Sequence, residues 1–339
     1  MPTDARADES LAPDWRAESD SWMAERLAAL GGRSTGPVRT VRVRAWSILR
    51  QVPTSTGVVW FKANVPGNGF EAAVVEALAG WAPDFVVPPL AVDPDRGWLL
   101  SPDGGPTLRA AMADRPDPDR WAELLSRYAE LQRLVAPHGD RLVGLGLPDL
   151  RPGRMPAALA DLLADPTVIL AAPVRAALVA LIPEYDRWCA ELAADGLPPS
   201  IQHDDLHDDN VFVGGERLRF FDWGDACLAH PFGTLLVTLN AAANRFGFDP
   251  TGPELARLRD AYLEPWTGPC GRAGLLRSVR LALRVAKVGR ALSWRRALAG
   301  ATDPGWQAAL GGPPRIAPEH ASAVGAWLER LTEPEPEPG

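Results

Sequence analysis

Cysteine is scarce in this 339-residue chain: Cys189, Cys227 and Cys270 are unevenly spaced and no two form a CxxC pair. That excludes a disulfide framework or a zinc knuckle and points to a reducing compartment. No stretch approaches the roughly 18 uninterrupted apolar residues that would cross a bilayer. Residues 1–10 are acidic and polar, with no apolar h-region of the kind a secretory leader carries. A cytoplasmic, soluble protein with no membrane partner is expected. Basic charge is short as well, 35 Lys and Arg against 43 Asp and Glu for a net charge of -8. A chain so balanced is a poor candidate for nucleic-acid binding, which needs a basic face, and suits a cationic or neutral ligand better than an anionic one. Lysine is the scarcest of all. Of the 35 basic residues only Lys62 and Lys287 are lysines, so a lysine in a suggestive place carries weight.

What is present is ordinary globular material, 46% hydrophobic and 23% charged, in a length sufficient for two cores. Apolar residues recur at helical spacing over residues 15–30, ahead of Gly31-Gly32. The period then changes to that of strands. Branched and aromatic residues over 38–43, 46–52 and 58–61 flank a Pro/Gly turn, and 86–92 and 98–100 flank Asp93–Gly97. An Ala- and Glu-rich helix at 70–78 falls between the third and fourth. The pattern predicts a five-stranded antiparallel sheet with one inserted helix, and a boundary at Ser101–Gly105. Beyond it helices are expected over 121–135, 174–192, 234–245, 253–263, 275–298 and 318–331, interrupted by one hairpin, 210–213 with 218–222. The organisation read from this is an N-terminal extension (1–36), a sheet lobe (37–103), a helical lobe (104–332) and a disordered Glu/Pro tail (333–339).

The strongest local signal is Gln202-His203-Asp204-Asp205-Leu206-His207-Asp208-Asp209-Asn210, followed across the hairpin by Phe221-Asp222-Trp223. Phosphoryl transfer needs a carboxylate to orient and accept the proton of the attacking hydroxyl, and hard oxygen ligands to hold Mg²⁺ against the phosphates. An Asp and an Asn five residues apart on a tight loop supply both. The hairpin is expected to return Asp222 towards Asn210. Upstream, Val59-Trp60-Phe61-Lys62 places one of the two lysines on the third strand, where a phosphate-holding lysine belongs. Glu71 opens the next helix and is its expected partner, with Glu76 as the second choice.

At these positions the chain resembles the aminoglycoside phosphotransferase and choline kinase-like family, itself similar to protein kinases. The family's catalytic loop, His-x-Asp-Leu-x-x-x-Asn, is filled by His203, Asp205, Leu206 and Asn210, and its metal segment by Phe221-Asp222-Trp223. The resemblance implies an α+β, two-lobed protein kinase-like fold with the nucleotide between the lobes. It implies Asp205 as catalytic base, Asn210 and Asp222 as Mg²⁺ ligands, Lys62 and Glu71 at the phosphates, and His203 as a brace. Ser101 and Asp103 fall at the nucleobase hinge, and Ser47 at the turn where the family's phosphate loop would lie. The co-substrate implied is ATP or GTP, and the partner a small-molecule hydroxyl acceptor, of which an aminoglycoside is one example.

Three departures stand out. Asp204, Asp208 and Asp209 occupy places where the family has Gly or Pro-Gly; they could bind a cationic acceptor, recruit a second metal or face solvent. No G-x-G-x-x-G joins the first two strands. The family often has another Asp past the metal segment, and here His230 is expected to substitute structurally. His203 and His207 are four apart among aspartates, a spacing that also suits a metallohydrolase, but no third His lies nearby. The competing functions are a protein kinase, for which no Ala-Pro-Glu segment follows Asp222, and a non-catalytic pseudokinase, against which the complete set Lys62, Asp205, Asn210 and Asp222 speaks.

Overall fold

The computed structural model describes residues 11–113, 115–215, 217–267 and 271–333. The leader reading (1–10) lies outside them, as do Cys270 and all of the tail beyond residue 333. The chain divides into two compact units. One takes in residues up to Gly105 together with Asp222–Gly224 and Arg295–Ala321; the other takes in Pro106–Phe221, Asp225–Trp294 and the residues from Ser322 onward.

In the first unit, helix α1 (Pro13–Ala29) precedes strands β1 (Arg39–Val43), β2 (Ser47–Thr54) and β3 (Gly57–Asn64), helix α2 (Glu71–Trp81), and strands β4 (Ala91–Asp93) and β5 (Trp98–Pro102). The five strands form one antiparallel sheet in the order β1-β2-β3-β5-β4. Strand β4 is shorter than the expected 86–92 because Pro88 and Pro89 interrupt that run, and proline offers no N–H to a ladder. Alternation along β3 divides its side chains between two faces. Val59, Phe61 and Ala63 join Trp22, Met23 and Leu27 of α1 in one buried cluster with Ile48, Trp98 and Leu100. There Phe61 meets Trp22 and Trp98 edge-on, at 5.9 and 5.4 Å between ring centroids. Lys62, out of phase with Phe61, is left for the opposite face. The buried Arg50 guanidinium bonds Ser19 Oγ at 2.6 Å and Asp20 Oδ1 at 2.7 Å, fastening α1 to β2. The short helix Pro304–Ala309 closes over the β1–β2 turn, where Trp306 Nε1 donates to the Ala45 carbonyl at 2.7 Å.

The second unit is largely helical: α3 (Pro118–Val135), α4 (Ala172–Ala193), α5 (Leu235–Phe246), α6 (Pro253–Leu263) and α7 (Arg272–Ala301), the last counted here as far as Trp294. The expected helix at 318–331 is instead two pieces, Pro318–Ala321, which belongs to the first unit, and Ala323–Glu329, which belongs to the second. A strand pair unforeseen in the sequence, β6 (Ser200–Gln202) with β9 (Cys227–Ala229), brackets the hairpin β7 (Val211–Gly214) and β8 (Arg217–Phe220). Three residues per strand are too few to show a period. The pair is fixed from α3: Gln132 Nε2 and Tyr128 Oη donate to the Ile201 carbonyl at 2.8 and 3.1 Å, and Ser200 Oγ donates to the Gln132 carbonyl at 2.6 Å. Each such buried bond contributes about 1 kcal/mol net. Together they define where the acidic loop leaves β6. Among the described residues no helix is long and apolar enough to cross a membrane.

Candidate active site

In the first unit two carboxylates meet around Lys62. Its ammonium lies 2.5 Å from Glu71 Oε2 and 2.5 Å from Asp222 Oδ1. Glu71, at the first turn of α2 where a carboxylate also favours the helix dipole, is buried and accepts from Asn64 Nδ2 at 2.7 Å and from the Trp223 backbone N–H at 2.9 Å. Glu76 is exposed and takes no part. Burial works against the charge on Lys62, yet Asp222 and Glu71 outweigh it and hold the amine well above its ordinary pKa. For Glu71 burial is the largest influence and raises the carboxyl, with the Lys62 charge opposing it. Asp222 keeps about a third of its side chain exposed, at 34%. Its φ is 66°, a left-handed conformation that costs about 1 kcal/mol. Such strain at a charged residue marks candidate functional positions. Two residues on, Gly224 packs closely: a Cβ there would come within 3.3 Å of Glu71 Oε2. Arg296 steadies the same segment, donating to the Gly224 carbonyl at 3.4 Å and to Asn68 Oδ1 at 3.2 Å.

Ser47 is buried at the start of β2, where its carbonyl accepts from the Arg44 N–H at 2.8 Å. Ser101 lies on β5 opposite Trp60. The Asp103 N–H is taken by the Val58 carbonyl at 3.2 Å, and its carboxylate accepts from the Gly105 N–H at 2.9 Å.

In the second unit the acidic loop is braced as a unit. His203 is fully buried and its Nε2 bonds the Phe221 carbonyl at 2.8 Å, tying the loop to the end of β8. The hairpin register sets Val211 against Phe220, and the Phe221 N–H donates to the Asn210 carbonyl at 3.2 Å. Asp222 is the next residue. Asn210 turns its amide nitrogen onto the Asp205 carbonyl at 2.9 Å and the Asp205 carboxylate at 3.3 Å. His207 Nδ1 accepts the Asp209 N–H at 3.1 Å, so the proton sits on Nε2, 3.5 Å from Asp205 Oδ2. Burial pushes Asp205 up. The His207 hydrogen bond, the Arg290 charge and both histidines more than reverse it, and the carboxyl lies well below the usual carboxylate range. The side chain remains 34% exposed. It is an ionised, oriented carboxylate.

The extra aspartates form no open anionic patch. Asp208 is fully buried, its Oδ1 bound by Arg109 Nε and Nη2 at 3.0 and 2.7 Å and its Oδ2 lying 3.4 Å from Arg245 Nε. Asp209 accepts from Thr107 Oγ1 at 3.1 Å and from Arg109 Nη1 at 3.3 Å. Asp204, also with positive φ (63°), accepts from Gln202 Nε2 at 2.7 Å. The choice among cation trap, second metal and solvent is thus corrected for Asp208: it is an internal anchor between Arg109 and Arg245. His230 does not stand in for a downstream aspartate either. An aspartate does follow Phe221-Asp222-Trp223: Asp225, which accepts from Ser293 Oγ at 2.8 Å. His230 bonds Asp195 at 2.9 Å and accepts the Phe232 N–H. Asp225 and Arg290 are the residues the sequence reading missed; only the acidic character of Asp-Trp-Gly-Asp pointed to the first, and no local signal pointed to the second.

Taken singly, two side chains offer oxygen donors of the kind that Mg²⁺ takes. Asn210 commits its amide nitrogen to Asp205, which leaves its oxygen as the donor, and Asp222 offers a partly exposed carboxylate. Among the described residues no group of three or more His, Cys, Asp or Glu could hold a metal. Mg²⁺ in kinases is commonly held through one or two carboxylates together with the substrate phosphates.

No curated protein matches this sequence. Among solved structures the chain is similar to a choline/ethanolamine kinase family protein from Mesorhizobium loti, at 20% identity over 93% of this chain and 95% of that one, with a TM-score of 0.54. It is similar to a macrolide 2'-phosphotransferase from Brachybacterium faecium, at 20% identity over 88% and 100%, TM-score 0.53. A GDP complex of aminoglycoside 2'-phosphotransferase-IIIa follows at 15% identity over 92% and 97%, TM-score 0.58. Likeness at this identity establishes the shared kinase-like fold. The sequence model of the phosphotransferase enzyme family matches residues 58–274, a span that contains Lys62, Glu71, the acidic loop and Asp222. With well over half of its length matched, the chain belongs to the phosphotransferase enzyme family.

Proposed function

We propose that this protein transfers the γ-phosphoryl group of ATP or GTP to a hydroxyl of a small molecule. The observation that carries the reading is Asp205: an ionised carboxylate, partly open to solvent, its plane held by Asn210 and His207. It would orient the acceptor hydroxyl and take its proton, while Lys62, held by Glu71, would grip the α- and β-phosphates. Asn210 and Asp222 would hold Mg²⁺, which when bound neutralises charge developing on the phosphate oxygens. Ser47, Ser101 and Asp103 would line the nucleotide; since the Asp103 N–H already bonds Val58, the hinge contact there falls to other backbone groups. A structural neighbour solved as a GDP complex supports GTP beside ATP as donor. Because Asp208 is internally paired it is closed to a cationic acceptor, whereas Asp209 keeps 46% of its side chain exposed, so the acceptor class stays an aminoglycoside or another cationic or neutral alcohol. Positioning and electrostatics supply most of the rate in such chemistry.

The test is nucleoside-diphosphate release from Mg-ATP and Mg-GTP across a panel of hydroxyl-bearing metabolites, sugars, amino alcohols, macrolides and aminoglycosides, for wild type and Asp205→Ala. Acceptor-stimulated release by the wild type, reduced about 10²-fold or more in Asp205→Ala, is expected for loss of a positioned base. Equal turnover of the two proteins would refute the assignment of Asp205.

A further inference from the structure

As far as Trp294, helix α7 carries six basic residues and no acidic one. Arg290 is the member of that set that is buried, at 6% exposure. Its guanidinium stands at ion-pair distance from three carboxylates: Nη1 is 3.4 Å from Asp225 Oδ2 and 3.5 Å from Asp204 Oδ2, and Nη2 is 3.6 Å from Asp205 Oδ1. One turn along the helix, Ser293 Oγ donates to the other oxygen of Asp225 at 2.8 Å. Three carboxylates in one neighbourhood repel one another unless a cation is shared among them. A planar guanidinium can serve several at once from fixed directions, which a lysine ammonium does not reproduce.

The two oxygens of Asp205 are held by different groups. Oδ2 faces Asn210 Nδ2 at 3.3 Å and His207 Nε2 at 3.5 Å, whereas Oδ1 faces Arg290. Rotation of the carboxylate would break one set or the other. We infer that Arg290 is a positioning residue for the proposed base: it fixes the carboxylate plane of Asp205 and ties it, through Asp225 and Ser293, to helix α7. The inference rests on Asp205 being the base, and it assigns to α7 a part in the reaction geometry that the catalytic motif does not contain.

The test uses the full chain. Arg290→Lys retains the charge but not the fork. It is expected to lower turnover about tenfold, as sub-ångström misplacement of a reacting group does, while the melting shift produced by nucleotide is unchanged. Asp225→Asn, which leaves the guanidinium in place and weakens its shortest contact, should lower turnover by a smaller factor. In an Asp205→Ala background Arg290→Lys should add almost nothing, because it acts through Asp205. A readout independent of turnover is the denaturant midpoint of the protein without nucleotide or metal, where Asp205→Asn and Arg290→Lys should be non-additive. Unchanged turnover in both Arg290→Lys and Asp225→Asn, multiplying losses in the double variant, parallel loss of nucleotide binding, or additive midpoints would each overturn the inference. If Asp205→Ala itself retains wild-type turnover, the reading of the base fails and this inference falls with it; a drop in Asp205→Ala beside wild-type turnover in Arg290→Lys and Asp225→Asn condemns the inference alone.

Discussion

The charged clusters of the two units solve one problem in opposite ways. Around Lys62 a single ammonium, 13% exposed, is shared by two carboxylates at 2.5 Å, and the partners lie on a strand, the next helix and the Asp222–Gly224 segment. Around the acidic loop the carboxylates outnumber the cations, and arginines from distant helices supply the balance: Arg290 for Asp204, Asp205 and Asp225, Arg109 and Arg245 for Asp208. The first cluster is short-range and tight. The second is built at 3.4–3.6 Å around Arg290 and at 2.7 Å on Asp208. A compact pair sets the state of one group, while a dispersed network sets the shape of a loop. Burying charge in either is costly unless every partner is present, so removal of single partners should separate the two designs.

The largest effect is expected in the first cluster. Asp222→Asn keeps a residue that tolerates positive φ but removes the charge that faces Lys62 and the proposed metal. The metal-dependent part of nucleotide-induced thermal stabilisation should vanish, read as the melting shift with Mg-nucleotide against nucleotide in EDTA. An undiminished difference between the two conditions would show that Asp222 holds no metal.

The same contrast explains what was legible beforehand. Lys62 stood out because lysine is rare here, and Glu71 because it opens the next helix; strand alternation then dictates the face on which they meet. The five-stranded sheet and the longer helices were legible from period alone, and helix α6 falls on its expected bounds. Where local chemistry overrode period, the reading slipped: Pro88-Pro89 trimmed β4, and the helix expected at 318–331 broke at Ser322. The loop motif placed Asp205 and Asn210 together, as their hydrogen bonds show. What no local pattern could give was the arginine network. Arg109 and Arg290 are separated from their aspartates by about a quarter of the chain, and in a sequence where 33 of 35 basic residues are arginines no single one is conspicuous. Nothing local therefore singled out Asp208 as an internal residue, although it is fully buried.

A smaller effect is expected in the second cluster. Arg109→Ala leaves Asp208 buried with Arg245 alone, at 3.4 Å. Losing the two N–H donors that Arg109 directs at Oδ1 of this buried carboxylate should destabilise the protein by about 2 kcal/mol, measured as the denaturant midpoint at neutral pH. Because Arg245 remains, the protein should still fold. A stability within experimental error of wild type would mean that Arg245 alone suffices to hold the buried Asp208 side chain.

The smallest effect belongs to a third carboxylate, outside both clusters, and it tests whether proximity of charge or of hydrogen bonds matters more. Asp195 is largely buried, and burial would raise its pKa. Hydrogen bonds from His230, the Leu197 N–H and Ser278 prevail and lower it. A carboxyl depressed in the folded state adds stability that is present above its unfolded pKa of about 4 and is lost as the pH falls through the folded value. Asp195→Asn should therefore be less stable than wild type at pH 7, with the gap narrowing below about pH 4 as the wild type takes up its proton. Denaturant midpoints at pH 7 and pH 3 measure the two gaps. A gap that stays constant between them would show that the Asp195 bonds to His230, Leu197 and Ser278 stabilise the fold without depending on its charge, as neutral hydrogen bonds do.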